Sequence, residues 1–269
     1  MEYITLKNNI KMPLLGLGTW DLRGQECIDT VCTAIKNGYR LIDTAQMYGN
    51  EKEVGQGIIK SHIPRQELFI TTKIYGISNS YEKAKKAIRE SLTNLQTDYI
   101  DLLLLHEPYL QEQEMYKAIE EAYRNGTVRA IGISNYGKKR FEKFLKQCKT
   151  VPLVNQIECH IYYQKWEYQK YLNRYDVKMQ AWAPLAQSQV KIGQEPLLLK
   201  IAEKYHKTPY QIALRFLTQR GISAIPKSRR EKKLIENINI FDFQLTQSEI
   251  KEISSLDKND TLFMWTKYL

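Results

Sequence analysis

Leu68-Phe69-Ile70-Thr71-Thr72-Lys73 and Ile100-Asp101-Leu102-Leu103-Leu104-Leu105-His106 are two short apolar runs, each closing on an ionisable side chain, with a single helical pattern between them. Within residues 81–96, Ala84, Ile88, Ser91, Leu92 and Leu95 recur at three-to-four spacing, which predicts one buried stripe on an amphipathic helix. Parallel strands need a long crossover connection, and a helix of this length supplies it. The stretch therefore reads as a strand–helix–strand unit of a parallel sheet.

The same alternation extends in both directions. Apolar runs at 14–18, 39–42, 128–133, 153–157, 177–182 and 222–225 bring the candidate strands to eight. A chain of 269 residues is close to the roughly 250 typical of one such barrel. The expected class is α/β, a (β/α)8 TIM barrel forming a single domain over residues 1–269. Residues 3–6 and 10–12 flank Lys7-Asn8-Asn9 and predict an N-terminal β-hairpin closing the barrel floor. Asp101 interrupts its run near the start, where a polar group can still reach the rim. Asn50 before Glu51 and Glu53 suits a helix start. Thr208-Pro209 with Gln211, and Thr246 with Glu249, read as capping boxes. Gly38 and Gly126 stand where a helix must stop and pass to a strand.

Composition excludes several classes. Hydrophobic residues make up 43% and charged residues 26%, as in ordinary globular chains. No stretch reaches the roughly 18 apolar residues that span a bilayer, and Met1-Glu2-Tyr3-Ile4 lacks the basic and apolar parts of a signal peptide. A cytoplasmic protein without a membrane partner is expected. The four cysteines (Cys27, Cys32, Cys148, Cys159) show no CxxC pairing and read as reduced thiols, with no metal site. The formal charge of +10 is spread along the chain without a basic stripe interleaved with aromatics. That argues against nucleic acid and suits a phosphate-bearing small molecule.

Active sites of such barrels sit at the C-terminal ends of the strands. The second strand ends in Ile42-Asp43, with Tyr48 in the loop that follows. The third ends in Lys73, and the fourth leads into His106. Four ionisable groups thus leave three neighbouring strands on one face. A buried lysine needs a compensating charge, which Asp43 can supply. Lys73 beside the Tyr48 hydroxyl is expected to pull the phenol down from its usual value of about 10. A tyrosine so tuned can exchange a proton with a developing alkoxide, while His106 donates a hydrogen bond to the same oxygen. Schiff-base chemistry at Lys73 is the competing use of this set, and pairing with Asp43 argues against it.

The run Gly38-Tyr39-Arg40-Leu41-Ile42-Asp43-Thr44-Ala45, followed by Tyr48-Gly49-Asn50-Glu51 and Val54-Gly55, closely resembles the aldo-keto reductase family. The resemblance continues through Thr71-Thr72-Lys73, Gly132-Ile133-Ser134-Asn135, Asn155-Gln156-Ile157-Glu158, Ala181-Trp182-Ala183-Pro184-Leu185 and Ile225-Pro226-Lys227-Ser228. It implies a barrel that uses NADPH without a Rossmann domain, reducing an aldehyde or ketone with Tyr48 as general acid, tuned by Lys73 and Asp43, and with His106 orienting the carbonyl. It further implies a carboxamide held by Ser134, Asn135 and Gln156, and Trp182 stacked on the nicotinamide. Gly18, Thr19, Pro184 and Leu185 would contact the cofactor, Lys227 and Ser228 would hold its 2′-phosphate, and Glu236 and Asn237 would reach the adenine. The small-molecule carbonyl is the only partner implied, and a monomer is the family default. A non-catalytic NADP(H)-binding regulator on the same fold is the alternative.

Three departures from the family pattern stand out. The usual His-Trp-Pro is His106-Glu107-Pro108, which removes an aromatic wall but keeps the histidine. Lys233 stands where relatives commonly carry arginine, with Arg229 and Arg230 close enough to compensate. The loop after His106 and the C-terminal tail are both short, so an open pocket lined by Trp20, Phe263 and Trp265 is expected, of the kind short-loop bacterial members use for dicarbonyls and keto sugars.

Overall fold

The computed structural model describes residues 1–268. Eight parallel strands follow chain order: β3 (Leu17–Gly18), β4 (Leu41–Asp43), β5 (Phe69–Ile74), β6 (Leu102–Leu105), β7 (Ile131–Ser134), β8 (Val154–Glu158), β9 (Lys178–Trp182) and β10 (Ser223–Ala224). Each pairs with the next, and the first and last meet as well. Gly16 N donates to Ala224 O at 2.9 Å, Ala224 N to Leu14 O at 2.9 Å and Gly18 N to Pro226 O at 3.1 Å. The sheet is thereby a closed barrel, with a strand on each of the eight predicted runs, four of them ending one residue beyond the run. Several strands start later than their runs because the leading apolar residues pack in the incoming turn. Tyr39, for example, is fully buried and donates its hydroxyl to Leu234 O.

Ahead of the barrel, β1 (Tyr3–Thr5) and β2 (Lys11–Pro13) form the predicted antiparallel hairpin, with Ile4 opposite Met12. Leu6 and Met12 are buried against Leu41, Phe69, Leu102, Leu104 and Val154, which come from the strand starts. The hairpin therefore closes the floor. Asp101 is fully buried rather than at the surface. It accepts from Ile70 N at 2.9 Å and pairs with Arg65 at 2.7 Å and Arg129 at 2.8 Å, which is what allows a carboxylate there.

Alternation along the strands explains how one barrel carries both a core and a site. With a period of two, Leu41 and Asp43, or Phe69, Thr71 and Lys73, share one face. The first member of each series packs in the apolar floor and the last lies at the C-terminal end. The opposite faces, such as Ile42, Ile70, Leu103 and Ile133, pack outward into a second cluster shared with the helices.

Among the described residues ten helices surround the strands: α1 (Gly24–Lys36), α2 (Glu51–Ser61), α3 (Tyr81–Leu95), α4 (Glu112–Arg124), α5 (Lys138–Leu145), α6 (Trp166–Asn173), α7 (Pro196–Tyr205), α8 (Pro209–Gln219), α9 (Glu231–Ile238) and α10 (Gln247–Ser254). Helix α3 buries Ala84, Ile88, Ser91 and Leu95 as its pattern predicts, whereas Leu92 is only half-buried at the edge of the stripe. Both capping boxes form, at Thr208 and Thr246. Gly38 and Gly126, with φ of 96° and 82°, end α1 and α4 in the left-handed region. Asn50 precedes α2, but its side chain does not cap it. Instead it donates to Thr19 O and Leu22 O and accepts from Thr44, tying the first two strand-end loops together.

Candidate active site

Asp43, Lys73 and Tyr48 meet at the C-terminal end of β4 and β5. Lys73 Nζ lies 2.6 Å from Asp43 Oδ1, 2.8 Å from Thr44 O and 3.3 Å from the Tyr48 hydroxyl. Lys73 and Asp43 are buried, so each depends on the other. Burial works against the ammonium, but the Asp43 charge and the Tyr48 hydroxyl outweigh it and raise the Lys73 pKa above the usual value. Asp43 is held from its other side, where Gln156 Nε2 donates to Oδ2 at 2.7 Å.

The expectation for Tyr48 needs correcting. Its pKa is raised, not lowered. Burial is the largest cause and the Asp43 and Glu107 charges add to it, against the pull of Lys73. The phenol therefore stays protonated through neutral pH, which fits it to give a proton rather than to rest as phenolate.

His106 follows β6, with its ring edge-on to Tyr48 at 5.7 Å between centroids. Burial, with Lys73 adding, lowers its pKa from 6.5 to about 3. The imidazole is neutral, and its Nδ1 is buried without a hydrogen-bond partner. A neutral ring can donate one hydrogen bond to an oxygen in front of Tyr48.

These groups open on a cavity of about 880 Å³. Besides Tyr48 and His106 its wall includes Trp20, Met47, Glu107, Trp182, Phe263 and Trp265, so all four residues predicted for the substrate pocket line this cavity. Trp20 packs edge-on to Tyr48 at 5.1 Å. Trp265 lies parallel to Trp182 at 5.4 Å and Phe263 meets it edge-on, so one side of the Trp182 ring is covered by the tail. Glu158, at the end of β8, anchors that tail by accepting from Thr261 and from the Leu262 N–H at 3.0 Å, and also lies 3.0 Å from His160 Nε2.

The same cavity collects Gly18, Ser134, Asn135, Gln156, Pro184, Leu185, Lys227, Ser228, Arg230, Lys233, Glu236 and Asn237. Asn135 adopts a left-handed backbone (φ 65°) and accepts from Trp182 Nε1 at 2.8 Å. Thr19 and Arg229 are the two predicted contacts that stand off the wall. Thr19 is buried and donates its hydroxyl to Asp43 O, whereas Arg229 binds Asp21 and Glu26. Lys227 also reaches Asp21, at 3.4 Å, and Lys233 is held by Glu236 at 2.7 Å. Among the described residues Arg230 is the lining cation whose side chain has no protein partner.

Asp21 and Gln180 escaped the sequence reading. Gln180 is buried, accepts from Gln156 at 2.7 Å and donates to Ser223 at 3.3 Å, and so fixes the amide that holds Asp43. Its signal was available, because it precedes Trp182 by two along β9 and must share its face. Asp21 pairs across a gap of some two hundred positions and left no local signal.

A parallel barrel brings a protonated tyrosine, a paired lysine and a neutral histidine together beside one cavity, and this chain is an oxidoreductase acting on carbonyl groups. It belongs to the aldo/keto reductase family, whose model matches residues 14–258. It is similar to the glyoxal reductase of Bacillus subtilis, with 40% identity over 96% of this chain and 94% of that protein. Among solved structures it resembles MGS-M4, an aldo-keto reductase from a deep-sea metagenome library, with TM-score 0.95 and 39% identity over 97% of each chain. A Bombyx mori aldo-keto reductase in complex with NADP has TM-score 0.92 and 30% identity, over 99% of this chain and 96% of that one.

Among the described residues no group of three or more His, Cys, Asp or Glu is placed to hold a metal ion, and no helix is long and apolar enough to cross a membrane.

Proposed function

We propose that this protein reduces small aldehydes and ketones with NADPH, with Tyr48 giving the proton to the carbonyl oxygen. The observation that carries the reading is the Tyr48 hydroxyl, protonated and 3.3 Å from a lysine that is itself locked to Asp43, beside a neutral His106. The residues lining the cleft fit the dinucleotide chemically. Ser134, Asn135 and the free carbonyl oxygen of Gln156 present the mixed donors and acceptors an amide needs. Gly18 lines the cleft where a Cβ would collide with Ile225 O, so the wall there admits no side chain. Lys227, Ser228, Arg230 and Lys233 gather positive charge at the phosphate end. The likeness to an NADP-bound relative supports the same cofactor. When bound, the reduced nicotinamide supplies a hydride to the carbonyl carbon.

His106 orients the carbonyl and Tyr48 protonates the oxygen as negative charge develops there. Lys73 stabilises the phenolate left behind, and Asp43 keeps Lys73 charged. The aromatic residues Trp20, Trp182, Phe263 and Trp265 limit water around the reacting atoms. A panel of aldehydes and dicarbonyls, methylglyoxal included, mixed with NADPH and followed by nicotinamide absorbance, tests the reading. Turnover is expected, falling by about 10²–10⁴-fold in Tyr48→Phe while NADPH binding persists. A panel with no substrate turned over refutes it.

A further inference from the structure

Glu107 is half-buried on the cavity wall directly after His106, and no described residue hydrogen-bonds or ion-pairs with its carboxylate. It is close enough to raise the pKa of Tyr48, so its charge is felt at the reacting end of the cleft. The cations that line the cavity are Lys227, Arg230 and Lys233, and two of them already face carboxylates. Lys73 lies beneath Tyr48 and is neutralised by Asp43. The cavity wall that Glu107 joins also carries Trp20, Trp182, Phe263 and Trp265. Aromatic rings and an unpaired carboxylate lining one cavity are the chemistry that recognises an alkylated or protonated nitrogen cation. The same arrangement repels a substrate carboxylate.

We infer that Glu107 is a specificity-determining residue and that the pocket selects carbonyl compounds bearing a positively charged nitrogen a few bonds from the carbonyl. The inference rests on the reductase reading and adds a substrate class to it. The unpaired state of Glu107 then has a reason: a residue whose partner arrives with the substrate stays free of internal partners and keeps its desolvation compensated only in the complex.

The test compares (trimethylammonio)acetaldehyde with its neutral isostere 3,3-dimethylbutanal, both corrected for hydration of the aldehyde. The ratio of their kcat/KM values is measured in the wild type and in Glu107→Gln. Because intrinsic reactivity cancels between the two proteins, the change in ratio reports the carboxylate alone. A drop of about tenfold is expected, and Glu107→Lys should turn the preference toward glyoxylate. In the wild type itself, choline should inhibit at about tenfold lower concentration than 3,3-dimethylbutan-1-ol, a comparison that holds even if the variants fail to fold. An unchanged ratio, or equal inhibition by the two alcohols, overturns the inference while leaving the reductase reading intact. Failure to reduce methylglyoxal or any other aldehyde overturns both.

Discussion

A histidine that is 6% exposed and follows a strand of four leucines meets little water, and this sets the charge state of the site. The His106 pKa falls from 6.5 to about 3 through burial, helped by the Lys73 charge. Between those values the unfolded chain binds a proton at this ring that the folded chain does not. Stability contributed by this group is therefore complete above pH 6.5 and is lost as pH falls toward 3, with a slope of about 1.4 kcal/mol per pH unit. Urea unfolding at pH 7, 6 and 5 should show His106→Asn losing less stability than the wild type over that range. Parallel curves would contradict the neutral, buried imidazole. The Asp43–Lys73 contact belongs to the same scale. Asp43→Asn leaves a buried ammonium without its counter-charge, and a loss of about 3–5 kcal/mol in unfolding free energy is expected.

Among the elements, the shortest strands carry the closure of the barrel. β3 and β10 have two residues each, and they meet where Gly18 approaches Ile225. A Cβ built on Gly18 would lie 2.8 Å from Ile225 O, a backbone atom that cannot turn aside. Gly18→Ala should therefore cost about 1–3 kcal/mol by overpacking, measured as a shift of the denaturation midpoint with an unchanged m-value. The eight strands were legible because each is an apolar run bounded by turn residues, and α3 was legible because its stripe has a single period. Strand limits were less so. Apolar residues such as Tyr39 extend the run without joining the ladder, and Ser134 and Glu158 continue strands beyond the apolar pattern.

For the whole molecule, the convergence of Asp43, Tyr48, Lys73 and His106 could be read before any geometry, since strand ends in a barrel meet on one face whatever the details of packing. Glu107, Trp265 and Phe263 were placed in the pocket by position alone. What the sequence could not convey is how charges settle between distant loops. Asp21 draws Lys227 and Arg229 across the cleft, and Glu236 holds Lys233, so the positive charge offered to a phosphate is smaller than the basic cluster in 227–233 suggests. Arg230 is left as the lining cation without a protein partner among the described residues. KM for NADPH should accordingly rise several-fold between low and about 0.5 M salt, and rise most in Arg230→Ala. Salt-independent KM values would argue against an electrostatic phosphate grip. The bond that closes the barrel has a further consequence for how the protein is made. Leu15 pairs with Ala224, so a chain emerging from the ribosome cannot complete its cylinder until residue 224 has been synthesised, some two hundred positions after Leu15. Until then β3 waits with an open edge, and the nascent chain must be kept from pairing with its neighbours. The enzyme's most exposed moment comes before its last helices exist.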